Sequence, residues 1–222
     1  MTQASTQQNS KVHTGDSPTF WLKPEQIDAI RSETVANSAH YLADRNDAIH
    51  ALLADTGLRV AELAALDEGM VDFEDSALRI PARIQKGYIE ESERPSDKPY
   101  SGPSPVGIAL AADTLRTLRK YLNGSWYSGK DTDALFPARS SDRISTQGIR
   151  NLVSKDAESA EVRPHSTQGR GDSEDVSPHS YRHSVAYRMV TREGKTLTDV
   201  KNRLRHSSLD TTEAYYSHFD MV

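Results

Sequence analysis

The sequence predicts a mainly α-helical fold with a small antiparallel β-sheet, an α+β architecture. Apolar residues recur with a helical period over most of the chain. Between residues 71 and 110 the period changes to two, which is typical of short strands. The length of 222 residues suits one large domain, and a hydrophobic fraction of 36% is enough to form a buried core.

Composition narrows the class of protein. Because the chain has no cysteine, disulfides and cysteine-bound zinc are excluded, and a reducing, cytoplasmic setting is expected. No apolar run approaches the roughly 20 residues that cross a bilayer, and the polar N-terminus has no secretory signal, so we expect no membrane association. The net charge of −5 is unusual for a nucleic-acid-binding protein, but such binding depends on a local basic face.

Residues 1–19 are rich in Gln, Ser and Thr and are predicted to be a disordered tail, whereas residues 20–222 are predicted to form one domain. The first helix begins near Pro24, with Ile27, Ile30 and Val35 on its apolar face. Two more helices are predicted on either side of a break at Gly57, at about 45–55 and 59–66.

Three short strands and five further helices complete the predicted order of elements. The strands are 71–73, 77–80 and 106–110, and a long hairpin loop that carries Lys86 lies between the second and the third. The helices are expected at about 113–122, 145–157, 179–192, 196–204 and 210–218. The polar stretch 158–177 is predicted to be a surface loop.

Arg59 follows the Gly57 break and stands at a predicted helix N-terminus. Both its guanidinium and the helix dipole favour an oxyanion there. Glu62, one turn further on, could hold Arg59 in place. Taken alone, the two residues also fit an ordinary surface ion pair.

Two further groups of polar residues lie near the end of the sequence. His179 and Arg182 are three apart and share a helix face, while His183 is expected to point towards the core or a backbone carbonyl. His206 precedes Tyr215 by nine positions. Taken alone, His179 also fits a helix-cap residue and Tyr215 a half-buried packing residue.

Together these segments resemble the catalytic domain of tyrosine recombinases, the phage-integrase and Xer-type family. The resemblance rests on Arg59-Val60-Ala61-Glu62, on His179-x-x-Arg182 and on Leu204-x-His206-Ser207-Ser208-Leu209-x-Thr211-Thr212-x-x-Tyr215. It covers about 21–218 and implies the tyrosine recombinase catalytic-domain fold. It also implies double-stranded DNA as the partner and no cofactor or metal.

The resemblance also implies a role for each matching residue. Arg59 and Arg182 would clamp the scissile phosphate, and Tyr215 would attack it to leave a 3′-phosphotyrosyl link. Lys86 would protonate the leaving 5′-oxygen. His179 would assist proton transfer from the nucleophile, and His206 would bond to the phosphate. Because a phenol has a pKa near 10, it needs such cationic and proton-accepting neighbours at neutral pH.

Some features depart from the family pattern. Arg205 stands where a glycine usually precedes the histidine, and Tyr216 competes with Tyr215 for the role of nucleophile. The sequence is also expected to lack the family's N-terminal DNA-clamping domain and its C-terminal docking segment, which implies weaker DNA binding. We therefore expect a homo-oligomer on DNA, a dimer or tetramer, or association with a full-length recombinase.

Two other functions fit the same residues. One is a non-catalytic DNA-binding regulator derived from a recombinase domain. The other is a metal-dependent hydrolase with ligands among His179, His183, His206 and His218, although Arg182 would repel the cation. Basic side chains that fit either a contact with DNA phosphates or a solvated charged face are Arg139, Arg143, Arg150, Lys155, Arg203 and Arg205.

Overall fold

The computed structural model describes residues 18–97, 99–206 and 216. In these ranges the chain forms helices α1 Pro24–Asn37, α2 His40–Thr56, α3 Val60–Ala64, α4 Ala112–Leu122, α5 Ser125–Ser128, α6 Thr146–Ser159, α7 Pro178–Thr191 and α8 Leu197–Leu204. The strands are β1 Val71–Asp72, β2 Ala77–Ile80, β3 Val106–Ala109, β4 His165–Ser166 and β5 Gly169–Arg170. The mainly α-helical fold with a small antiparallel sheet is therefore confirmed. The last predicted helix lies outside the described residues except for Tyr216.

Helix α1 begins at Pro24, as predicted, because the Gln26 side chain accepts a bond from the Lys23 amide and caps the first turn. Ile27 and Ile30 are buried, but Val35 is 45% exposed, so its place on the apolar face was wrong. Thr34 lies four residues after Ile30 and takes the inward position instead.

Helix α2 begins five residues before the predicted start and is the central helix of the domain. It packs against α1, α4 and α7. It ends at Gly57, which adopts a left-handed φ of 62° and donates its amide to the Leu53 carbonyl. This turn sets the direction of α3 and places Arg59 at its start.

The three-stranded sheet has the order β1-β2-β3, and both pairs are antiparallel. Leu78 pairs with Ile108 and Ile80 with Val106, so the apolar side chains of the two strands share one face. The connection from β2 to β3 contains short 3-10 turns at Ala82–Ile84 and Glu91–Glu93. Gln85 holds the base of this connection by donating to the carbonyls of Ile80 and Ser104.

The stretch 158–177 is more ordered than predicted. It contains the β4–β5 hairpin, in which His165 pairs with Arg170. His165 also forms an antiparallel bridge to Trp21, with N–O distances of 2.9 and 2.8 Å, and the two rings stack. The prediction of a surface loop missed this hairpin because the hairpin depends on a partner far away in the sequence.

A buried polar network fixes α7 against three other helices. His50 on α2 bonds to the Tyr181 hydroxyl on α7 at 2.8 Å and to Asp156 on α6 at 2.9 Å. Asp156 also accepts a bond from Thr34 on α1 at 2.8 Å. Because all four side chains are buried and bonded to one another, the network holds the helix that carries His179 and Arg182 in one orientation.

The hydrophobic core has two parts. The larger part lies between α1, α2, α4, α6 and the sheet. The smaller part lies around α7 and α8 and consists of Trp21, Val185, Ala186, Met189, Val200, Leu204 and Tyr216. Over the described ranges, none of the helices combines the length and apolarity that a membrane crossing requires.

Candidate active site

An open cavity of about 600 Å³ lies where the start of α3, the β2–β3 connection and the start of α7 meet. Four side chains that the sequence analysis selected line it, namely Arg59, Lys86, His179 and Arg182. They come from three separate segments of the chain, so only the fold brings them together.

Arg59 is the N-cap residue of α3. Its amide donates to Glu62 Oε2 at 2.8 Å and its Nη1 to Glu62 Oε1 at 3.2 Å. The Glu62 side chain is only 1% exposed, so the reading of a solvated surface pair was wrong. Glu62 holds one side of the guanidinium while 29% of the Arg59 side chain stays exposed at the cavity.

Arg182 is buried beneath the cavity, and two backbone carbonyls hold its guanidinium. Nη1 donates to the Gly57 carbonyl at 2.6 Å, and Nη2 donates to the Leu204 carbonyl. These carbonyls belong to the C-terminal ends of α2 and α8, where the helix dipole favours a cation. Burial, together with the charges of Arg59 and Arg205, lowers the pKa of Arg182 to about 9, so it still carries its charge at neutral pH.

His179 lies in the first turn of α7, next to the buried Pro178. Its ring meets that of His183 edge to face, with 4.4 Å between centroids. Desolvation by the surrounding protein lowers the pKa of His179, and the charges of Arg182 and Arg59 lower it further. The ring is therefore neutral at pH 7 and can accept a proton.

His206 is half-buried directly after α8. Its amide donates to the Lys201 carbonyl at 3.0 Å, and its ring stacks on Tyr216. Burial lowers the pKa of His206 to about 4, and the charges of Arg182, Arg59, His179 and Arg205 contribute in the same direction. Among the described residues His206 does not line the cavity, but it follows Leu204, whose carbonyl accepts a hydrogen bond from Arg182, by two positions.

Lys86 is exposed in the turn that follows the first 3-10 segment of the β2–β3 connection. Gly87, with φ of 89°, completes this turn. The Tyr88 amide closes it by donating to the Gln85 carbonyl at 3.2 Å. The turn brings the lysine side chain to the cavity that Arg59 and Arg182 line.

The structure describes only one of the two candidate nucleophiles. Tyr215 lies outside the described residues. Tyr216 is 1% exposed, and its hydroxyl lies 2.8 Å from His183 Nδ1. The prediction that His183 points into the core is confirmed, and in this arrangement Tyr216 is a packing residue.

The basic side chains outside the motifs divide into two groups. Arg143 donates to the Ala64 and Leu66 carbonyls and pairs with Asp67. Arg203 pairs with Asp55. The guanidinium groups of these residues already have partners inside the protein, and their contact with DNA stays a prediction.

Arg139, Arg150 and Lys155 are exposed, and Arg150 lines the cavity itself. Sequence reasoning placed Arg150 only in a general basic patch, because the contact of α6 with α3 is not visible in the sequence. Within the described part of the chain, no group of three or more His, Asp or Glu side chains has a metal-binding arrangement. His218, one ligand of the metal hypothesis, lies outside that part.

Several known recombinases have sequences similar to this chain. A model of the phage integrase family matches residues 21–221. The tyrosine recombinase XerC of Corynebacterium efficiens is 34% identical over 171 residues, which cover 77% of this chain and 46% of the relative. The XerC of Bifidobacterium longum is 30% identical over 173 residues, 78% of this chain and 43% of the relative. The chain thus spans about half the length of these curated relatives.

Solved structures share the fold. The XerA recombinase superposes with a TM-score of 0.65 at 23% identity, over 88% of this chain and 59% of that one. The XerH recombinase bound to a palindromic difH substrate gives 0.70 at 19% identity, over 94% of this chain and 52% of that one. Given the shared fold and a family match over nearly all of its length, the chain belongs to the phage integrase family of tyrosine recombinases.

Proposed function

We propose that this protein cleaves and rejoins double-stranded DNA through a covalent 3′-phosphotyrosyl intermediate, with Tyr215 as the nucleophile. The observation that carries the proposal is the convergence of Arg59 and Arg182 on one open cavity. These residues are more than a hundred positions apart in the sequence. Two fixed guanidinium groups at one cavity suit a phosphodiester, whose negative charge grows as a fifth oxygen approaches phosphorus.

The other side chains at the cavity supply the proton transfers that such a reaction needs. The phenol oxygen of Tyr215 forms a bond to phosphorus while the bond from phosphorus to the 5′-oxygen breaks. The phenol proton passes to neutral His179, and Lys86 donates a proton to the departing 5′-oxygen. His206 bonds to the phosphate. Because the phosphotyrosyl ester replaces the phosphodiester, rejoining is the reverse reaction and needs no nucleotide cofactor.

Two observations support Tyr215 over Tyr216. Tyr216 fills a place in the smaller core, and its hydroxyl bonds to His183 on the inner side of α7. In the sequence, Tyr215 follows His206 by nine positions within the Thr211-Thr212-x-x-Tyr215 frame, and this spacing favours it as the nucleophile. The relatives also support DNA as the partner, since XerH and the Tn1549 integrase were solved with DNA. An oligomer on that DNA, or a longer recombinase as a partner, belongs to the same proposal.

Covalent capture tests the proposal without knowledge of the target site. The protein is incubated with nicked duplexes that carry a randomised segment, and adducts that survive denaturation are isolated and sequenced. We expect the unaltered chain to form an adduct, mass spectrometry to find it on Tyr215, and Tyr215→Phe to form none. Tyr216→Phe is the matched control, because it removes the neighbouring hydroxyl and should still form the adduct.

The outcomes separate this proposal from its alternative. An adduct that persists in Tyr215→Phe would disprove the role of that residue. Duplex binding that is equal in the unaltered chain and in Tyr215→Phe, with no adduct from any member of the pool, would instead support a non-catalytic DNA-binding regulator.

A further inference from the structure

Arg205 has an unusual backbone conformation. It ends α8 with φ 56° and ψ 49°, in the left-handed region. The described ranges contain three non-glycine residues with positive φ, and the other two, Ser76 and Glu161, lie in exposed turns. A residue with a Cβ is disfavoured in this region relative to glycine, which is the residue that the family pattern has here. Some contact of the arginine side chain must therefore offset the strain.

That contact is with Glu62. Arg205 Nη2 lies 2.6 Å from Glu62 Oε2, and the two side chains are 10% and 1% exposed. The sequence analysis included Arg205 among the side chains that could contact DNA, but its side chain turns inward and contacts Glu62. Arg205 Nε is buried and has no hydrogen-bond partner among the described residues. The guanidinium is thus bound mainly by one carboxylate.

The same carboxylate holds Arg59. Glu62 Oε1 accepts from Arg59 Nη1 and Oε2 from the Arg59 amide, while Arg59 Nη2 donates to the Arg205 carbonyl at 3.4 Å. Arg59 and Arg205 therefore share Glu62, and the main chain of Arg205 supports the second nitrogen of Arg59. A change at position 205 therefore affects Arg59 through the shared Glu62 carboxylate and through the main chain of residue 205.

The charges at the cavity explain why the sharing of Glu62 by Arg59 and Arg205 matters for binding a phosphate. Arg59 and Arg182 together carry two positive charges, and buried Glu62 cancels one of them. Arg205 supplies a third positive charge that balances Glu62, so the group as a whole keeps two. A phosphodiester carries one negative charge and approaches two as phosphorus becomes five-coordinate. Without Arg205, the buried carboxylate would compete with the phosphate for Arg59.

We infer that Arg205 is a positioning residue of the phosphate site, which neutralises Glu62 and so leaves Arg59 free to bind a DNA phosphate. This inference rests on the proposed function, because the phosphate is the one that the proposed reaction cleaves. It predicts that Arg205 becomes dispensable when Glu62 has no charge.

The experiment is a double-mutant cycle with Arg205→Gly, Glu62→Gln and the double variant. Arg205→Gly suits it because glycine relieves the left-handed strain, so the fold should persist. Arg205→Asn, which also tolerates this conformation, is the second variant, and Arg205→Lys keeps the charge. Three quantities are measured: the melting temperature, the affinity for a fluorescent duplex of about 30 base pairs at low salt, and the rate of adduct formation on the captured substrate.

We expect Arg205→Gly and Arg205→Asn to melt near the parent temperature but to form the adduct roughly 10- to 100-fold more slowly, with weaker duplex binding. Arg205→Lys should recover most of the duplex affinity and most of the rate of adduct formation. Adding Glu62→Gln to Arg205→Gly should restore binding and rate towards those of Glu62→Gln alone. A purely structural role would lower the melting temperature and would give no such recovery.

Two results would overturn the inference. One is binding and cleavage by Arg205→Gly within twofold of the parent. The other is a double variant no better than Arg205→Gly. If the parent forms no adduct at all, the proposed reaction fails, and the affinity cycle alone still decides whether Arg205 frees Arg59 for a phosphate. The two ideas can therefore fail separately.

Discussion

Arg59 and Arg182 line the same cavity but are held in different ways. Arg59 pairs with a carboxylate, whereas Arg182, within the described part of the chain, donates to the Gly57 and Leu204 carbonyls. Carbonyl dipoles at helix ends stabilise a cation without cancelling its charge. Arg182 therefore offers a full positive charge from a buried and fixed position, while Arg59 depends on what balances Glu62.

The same cluster of charges predicts how stability depends on pH. The pKa of His206 is about 4 in the folded chain, against an ordinary value of about 6.5 when unfolded. Between these values the unfolded chain binds the proton and the folded chain does not, so stability is lost as the pH falls from about 6.5 towards 4. We expect the melting temperature to fall less steeply over this range in His206→Gln than in the parent.

His40→Gln provides the control, because it replaces an exposed histidine at the start of α2. Its slope of melting temperature against pH should match that of the parent. A slope for His206→Gln equal to the parent's would show that the charges at the cavity do not act on His206 as described.

Among the elements, the turn between α2 and α3 has the largest influence on the site. Gly57 has a left-handed φ of 62°, and its carbonyl accepts from Arg182. A Cβ on Gly57 would lie 2.6 Å from Leu204 Cδ2, so a side chain there would force the buried Leu204 side chain to shift. One residue thus connects the end of α2, the position of Arg182 and the packing of α8.

We expect Gly57→Ala to destabilise the fold by at least about 1–2 kcal/mol from the backbone conformation alone, and by more from the clash with Leu204. Thermal or denaturant unfolding measures the change. Gly107→Ala in β3 makes the same chemical change where no atom lies within 4 Å and φ is not positive, so it should stay within about 0.5 kcal/mol of the parent. Equal melting temperatures for the two variants would contradict the argument.

The elements also show what can be predicted from sequence. Helices α6 and α8 have local signals, because Ser145 and Thr196 cap them and their apolar residues repeat with a helical period. Helix α5 is four residues long and β4 and β5 are two each, too short to show a period. The β4–β5 hairpin depends on its bridge to Trp21, a partner that local propensity cannot reveal.

The residues of the site also divide into those that local sequence predicts and those whose partners depend on tertiary contacts. The motifs select Arg59, His179 and Arg182, and the place on the predicted hairpin selects Lys86. The fold brings these four to one cavity. The partners of the other arginines are set by tertiary contacts. Glu62 with Arg205, Asp67 with Arg143 and Asp55 with Arg203 are each separated by more than 70 positions. No spacing rule connects such residues, so the sequence analysis assigned these arginines to the surface.

At the scale of the whole molecule, a net charge of −5 has to be compatible with the proposed polyanionic partner. The cavity wall carries Arg59, Lys86 and Arg182, and exposed Arg150 extends it along α6. Positive charge is thus concentrated where a phosphate would bind, and a local field of this kind outweighs the total charge. DNA affinity should therefore depend on a few named side chains rather than on net charge.

Salt titration checks this distribution. For each phosphate contact that is lost, the slope of log affinity against log salt becomes shallower by about 0.9. We expect Arg150→Ala to weaken duplex binding and to reduce the slope by about that amount. Arg116→Ala changes the net charge equally, but its side chain is 73% exposed on α4 and pairs with Asp113, so the slope should not change. Identical slopes for both variants would exclude Arg150 from the DNA interface.

The bridge from Trp21 to His165 affects how the chain reaches its fold during synthesis. The Leu22 amide donates to the Ser184 hydroxyl at 2.7 Å, so the segment before α1 is completed by groups made some 140 to 160 residues later. At synthesis rates of about 5–20 residues per second, this segment waits roughly 7–30 s for its partners. Helices α1 and α2 can pair on the ribosome in that time, but the cavity that holds Arg59 and Arg182 closes only after α7 has emerged.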